Sequence, residues 1–170
     1  DHYLEREWTV SGNRKTWTAS FWVKRASVGG DQAFIAAKDG SEVCATRFTN
    51  AGTKLCLMNY TSSPNDNVLK TTAVYMDPSA WYHVVFAVDT SQATAANRCK
   101  LYVNGVEETV MDEENYPTQN TNWQMGDSGD YFIGQYSDNT NYADYYLAEF
   151  HYVDGQQLTF ALGFSHPVLF

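Results

Sequence analysis

From Thr16 to Arg25 apolar residues recur at every second position. Trp17, Ala19, Phe21 and Val23 alternate with Thr18, Ser20 and Lys24, and Trp22 falls among the second set. A two-residue rhythm sends successive side chains to opposite faces, so the segment predicts a β-strand with one apolar face. The rhythm returns from Trp81 to Thr90: Tyr82, Val84, Phe86 and Val88 form an apolar set, and Trp81, His83, Val85, Ala87 and Asp89 a mixed one. Runs at 33–38, 43–48, 54–60, 68–75, 98–103, 106–110, 131–136 and 144–153 are rich in β-branched and aromatic residues and predict further strands.

Turn chemistry separates these runs. Asn104-Gly105 between apolar segments is the strongest short hairpin signal. Asp39-Gly40 and Asn50-Ala51-Gly52 predict two more hairpins, and Gly29-Gly30-Asp31, residues 61–67, Asp77-Pro78 and Asp154-Gly155 interrupt the chain. Residues 112–129 form a long acidic stretch that predicts an irregular loop, and residues 137–143 a polar, Tyr-bearing one. No segment carries helical periodicity, and there is no internal repeat or linker. About ten short strands with turns every eight to twelve residues predict an all-β, two-sheet antiparallel sandwich in a single domain over 1–170. Opening on Asp1, the chain reads as part of a longer chain or assembly.

Three blocks carry a family likeness. Trp17 to Lys24 (WTASFWVK) resembles the early strand of laminin-G-like domains. Trp81-Tyr82-His83-Val84-Val85, a loop, then Lys100-Leu101-Tyr102-Val103-Asn104-Gly105 is similar to their most recognisable block. Tyr131 to Gly134, Tyr146 to Phe150 and Asp154-Gly155-Gln156-Gln157-Leu158 form the third, similar to a tail common in such domains of bacteriophage and other viral structural proteins. The likeness runs from about residue 16 to residue 160. It implies a jelly-roll sandwich of the concanavalin A-like lectin/glucanase type. The fold hosts lectins, pentraxins, adhesion domains, fibre tips and glycan-cleaving enzymes, so it leaves function open.

Composition narrows the choice. The 170 residues have a net charge of −9, and the 11 basic ones form no stripe, so a nucleic-acid partner is not expected. No run of about 18 apolar residues would insert into a membrane. Cys44, Cys56 and Cys99 lack metal-ligand spacing and read as small strand hydrophobes with half-buried free thiols; a Cys44–Cys56 bridge across a hairpin is the alternative. Free thiols fit assembly in a reducing cytosol better than an oxidising secretory route.

Catalysis is not expected. A glycan-cleaving strand of this family needs carboxylates at alternate positions on one face. Glu5 and Glu7 lack a third partner, Asp112, Glu113 and Glu114 are consecutive, and Asp144 and Glu149 have no acid between them. His2, His83, His151 and His166 join no nucleophile motif.

Family likeness makes a rim-bound calcium ion the one cofactor to consider. Asp127 and Asp130 around Ser128-Gly129, and Asp138 beside Asn139 and Asn141, supply oxygen donors; solvated acidic turns are the competing reading. Glycan binding needs aromatic faces beside amides or carboxylates. Tyr136, Asn139, Asn141, Tyr142 and Tyr145 supply that mixture in one loop region, and Trp123 lies in the other long loop. Packing between sheets or against a neighbouring subunit is the alternative for these rings. The expectation is a non-catalytic attachment module on a virion or extracellular surface that recognises a host glycan or receptor. Other virion subunits and further copies of the same chain are additional expected partners. The alternatives are a purely structural virion domain and a divergent glycan-cleaving enzyme.

Overall fold

A computed structural model of the chain describes residues 3–49, 51–61, 66–136 and 142–159. Among these, twelve strands follow one another, with one short 3₁₀ turn at Ala95–Asn97. They are β1 (Leu4–Trp8), β2 (Thr16–Arg25), β3 (Gln32–Asp39), β4 (Glu42–Thr49), β5 (Lys54–Tyr60) and β6 (Asn67–Thr71). The second half holds β7 (Trp81–Asp89), β8 (Cys99–Val103), β9 (Val106–Glu107), β10 (Met111–Asn115), β11 (Gly129–Ile133) and β12 (Tyr145–Asp154). Seven strands form one antiparallel sheet in the order β1-β11-β3-β4-β5-β6-β10, and five form the other in the order β12-β2-β7-β8-β9.

The alternation of β2 and β7 sets the inner layer. Trp17, Ala19, Phe21 and Val23 join Val84, Phe86 and Val88 in the core, opposite Phe34, Phe48, Leu55 and Leu57 of the larger sheet. Burying such side chains contributes about 1.5–3 kcal/mol each, which makes this interlayer the main source of stability. Asn104 and Gly105 adopt φ of 50° and 83°, the left-handed pair that a two-residue turn between β8 and β9 requires.

Three segments depart from expectation. The stretch from Met111 to Asn115 is a strand, because its acidic side chains pair with β6 at the sheet edge, as Lys70 does with Glu113 at 3.0 Å. The edge strand β1 has exposed or half-exposed residues throughout and no periodic apolar signal to betray it. The strand expected over 68–75 stops at Thr71, and Tyr75 turns inward so that its hydroxyl donates to Glu108 at 2.7 Å.

The cysteines are free and buried. Cys44 faces the core while Cys56 joins a second cluster, with Ala36, Ala45 and Met58, on the other face of the same sheet. Opposite faces preclude the bridge between them. Burial raises all three thiol pKa values, Cys56 to about 11, which leaves them protonated and unreactive at neutral pH.

After β12 the chain returns across the outer face of the smaller sheet. The Thr18 hydroxyl donates to the Gln156 carbonyl at 2.7 Å and accepts from the Leu158 amide at 2.8 Å.

Candidate functional site

The terminal strands β1 and β12 lie on the same side of the sandwich, so neither sheet has a neighbour to close that side. Trp8 seals part of it, stacked on Tyr131 at 4.3 Å and set edge-on to Tyr152 at 5.8 Å. Beyond Trp8 the two edges diverge into a groove of about 410 Å³ lined by Tyr3, Leu4, Ile133, Gly134, Leu147 and Phe150, with Tyr145 and the Ala148-Glu149 pair. That volume falls within the range of small-molecule sites. Leu4 is 69% exposed and Tyr3 38%, so the groove presents apolar surface to water. Tyr142 stands against Tyr3, ring centroids 6.1 Å apart.

Register slips in β12 between Ala148 and His151, and Glu149 there takes a φ of 50°. A left-handed residue with a side chain costs about 1–2 kcal/mol. Such bulges re-aim side chains at functional edges. Glu149 is exposed at this bulge. Ala148 and Glu149 line both the edge groove and a second hollow of about 390 Å³, on the outer face of the smaller sheet, whose other described lining residues are Trp22 and Trp81. Trp81 is 43% exposed and Tyr146, in register with Lys24 one row along, is 62% exposed.

Of the residues the sequence singled out for glycan contact, Tyr145 lines the edge groove and Tyr142 stands against Tyr3, which also lines it. Tyr145 forms part of its wall rather than a platform: its hydroxyl donates to the Ala33 carbonyl at 2.8 Å, its ring packs on Phe34, and burial raises its pKa. Tyr136 is half-buried under the Arg47 guanidinium, 5.1 Å from the ring centroid, over the cluster that holds Met58. Trp123 is a correction. It is 0% exposed, packed on Trp17 in the core, and pinned where Arg14 Nε donates to its carbonyl at 3.0 Å. Of its polar neighbours Asn122 is exposed, but Gln124 is drawn in and donates its backbone N–H to Asn59 Oδ1 at 3.1 Å. Asn139, Asn141 and Asp138 lie outside the described residues.

Of the candidate calcium donors, Asp127 and Asp130 fall within the described residues. Burial pushes the Asp127 carboxyl up in pKa, but hydrogen bonds from Ser11 and the Ser128 amide, with the Arg14 guanidinium at 2.6 Å, hold it below the usual value. Both oxygens therefore already face donors. Asp130 sits exposed on β11, opposite Glu7. Among the described residues no three His, Cys, Asp or Glu side chains gather around a common point.

Tyr3, Trp22, Trp81 and Glu149 were not foreseen as site residues. For the two tryptophans the signal was present, since both fall out of phase with the core-facing positions of their strands. For Tyr3 and Glu149 there was none, because β1 lacks periodicity and a bulge leaves no mark in composition.

Residues 4–159 match the family described as the concanavalin A-like lectin/glucanases superfamily, and the chain belongs to it. No curated protein matches the sequence significantly. A native heptameric SAP-like pentraxin from Limulus polyphemus is similar in structure, with a TM-score of 0.62 and 18% identity over 93% of this chain and 71% of that one. Domain 4 of the extracellular arabinanase AbnA from Geobacillus stearothermophilus, solved with arabinotriose, gives 0.61 and 19% over 91% of this chain and 66% of that one. The CBM40 of the Ruminococcus gnavus IT-sialidase gives 0.60 and 16% over 93% and 95%. At these identities the likeness establishes the fold.

Proposed function

We propose that this chain is a non-catalytic glycan-binding module, and that its site is the open edge between β1 and β12. The observation that carries the reading is the exposed edge groove, which Tyr3 and Glu149 both line, with the Tyr142 ring standing against that of Tyr3. Aromatic faces suit the apolar faces of sugar rings, and a carboxylate accepts hydrogen bonds from hydroxyls. Two structural relatives lend support, one solved with arabinotriose and one, the sialidase CBM40, solved with α2,3 sialyllactose.

The finer reading is an attachment module displayed in many copies on a virion surface, where avidity offsets a shallow site. It is supported by the likeness of the Asp154 to Leu158 run to viral structural domains. Immunogold labelling of purified particles checks that placement.

A glycan array read with the wild type, Tyr3→Ala and Tyr142→Ala tests the site. The expected result is a defined set of glycans whose signal falls at least about tenfold in both variants. An array without ligands, or ligands indifferent to both substitutions, overturns it. The exposed apolar edge of Leu4 and Tyr3 favours, as a second reading, a contact with another protein subunit. Sedimentation at rising concentration separates the two, because a subunit contact predicts self-association that Leu4→Glu abolishes.

A further inference from the structure

Two grooves share one carboxylate, and this is more specific than a single site. Glu149 and Ala148 line both the edge groove and the Trp22–Trp81 hollow. Each hollow taken alone, at about 410 and 390 Å³, sits near the lower end of the range for ligand pockets. One end offers Tyr3; the other offers an indole that is 43% exposed and a half-buried one beside it. Among the described residues Ala148 and Glu149, both exposed, are common to the two linings.

Resting on the glycan-binding reading, we infer that the two grooves are consecutive subsites of one track. The track takes an extended, uncharged glycan chain, which passes Ala148 and Glu149 and lays later sugar rings against Trp22 and Trp81. The absence of charge on the ligand follows from the linings. Among the described residues neither groove is lined by a Lys or Arg, and both contain Glu149. An anionic sugar entering either one would meet a carboxylate without a charge-assisted donor to offset the loss of its water. Lys24 shares a row of the outer face with Trp81 and Tyr146 but is not among the residues that line either groove. The chain's overall charge of −9 adds a repulsive field of the same sign.

The track also accounts for why Trp81 stays at the surface. An exposed tryptophan at the first position of a strand, facing away from the core, contributes little to folding. An aromatic ring beside a groove contributes to sugar binding.

Calorimetric titration with linear arabino-, cello- and laminari-oligosaccharides from two to six units, and with α2,3-sialyllactose, tests this on the wild type, Trp81→Ala and Tyr3→Ala. Trp81 is exposed, so its variant should fold, and a thermal melt verifies that. The expected result is affinity that rises with chain length in one neutral series. Trp81→Ala should then weaken the hexasaccharide at least about tenfold and the disaccharide less than twofold, while Tyr3→Ala weakens both. Equal affinity for short and long chains, or a hexasaccharide indifferent to Trp81→Ala but sensitive to Tyr3→Ala, overturns the track and leaves the edge site standing. Sialyllactose binding as tightly as the neutral chains overturns the charge argument. Failure of every sugar to bind overturns the track together with the glycan-binding reading.

Discussion

Two pairs of tryptophans lie on either side of a single sheet. Trp17 and Trp123 are 0% exposed, with centroids 6.0 Å apart in the core. Trp22 and Trp81 occupy the outer face, around an open hollow. Trp17 and Trp22 belong to the same strand, five residues apart, and an odd spacing sends them to opposite faces. The difference teaches that within a strand parity, not the polarity of neighbouring residues, decides where an aromatic ring ends up. Off the strands, Trp123 sits among Asn122, Gln124 and Gly126 and is buried, whereas Trp81 opens the largely apolar strand β7 and is exposed.

The sharpest way to break this comparison is to truncate one ring from each pair. Trp17→Ala and Trp123→Ala should each cost about 3–5 kcal/mol, because they leave a large cavity between sheets that cannot collapse. Trp81→Ala should stay within about 0.5 kcal/mol of the wild type, as befits a surface substitution. Urea unfolding at unchanged slope reads all three. A loss of more than 2 kcal/mol at Trp81 would show that the outer pair also serves the fold and would weaken its assignment to ligand binding.

Legibility followed the same division. The paired layers were readable because β2, β7 and β8 are central strands with uninterrupted alternation, and Asn104-Gly105 marks its turn in two residues. The site was only partly readable. Tyr142 and Tyr145 could be named because they cluster, but the groove they border forms between β1 and β12, strands more than 130 residues apart in sequence. No local pattern encodes that pairing of edges. Trp123 misled for a physical reason: its segment is held inward by long-range contacts, including the close approach at Gly126. A Cβ there would meet the Asn13 carbonyl oxygen at 2.3 Å, and φ is 92°.

A middle-sized effect sharpens the distinction between wall and platform within the edge groove. Tyr145→Phe removes the hydroxyl that donates to the Ala33 carbonyl while keeping the ring on Phe34. The expected loss is about 1–2 kcal/mol, the cost of an unpaired, mostly buried acceptor. Glycan affinity should change less than twofold. Tyr142→Ala should do the reverse, with stability nearly unchanged and binding lost. Paired melts and array readings on the two variants decide whether those roles are correctly divided.

The outer loops contribute least, through Asp127. Its folded pKa lies below its unfolded value, so its contribution is fully present above the unfolded carboxylate pKa of about 4 and disappears as pH falls through the lower, folded value. Asp127→Asn should therefore cost about 1 kcal/mol at pH 7, and the difference from the wild type should vanish near pH 2. Denaturation across pH 2–7 measures it.

Calcium closes the series, with no expected effect from the described donors. The ion requires six to eight oxygens, and it could take Asp127 only by displacing Arg14, Ser11 and the Ser128 amide from its carboxylate. Millimolar calcium against EDTA should leave the melting temperature within about 1 °C, since a ligand stabilises only in proportion to its affinity for the folded state. The same titration on Asp127→Asn locates any response. A calcium-induced rise that persists in this variant would point away from Asp127 and toward the Asp138, Asn139 and Asn141 segment. A rise that disappears would mean that the Arg14 pairing yields to the metal, and would turn a structural corner of the larger sheet into a binding one.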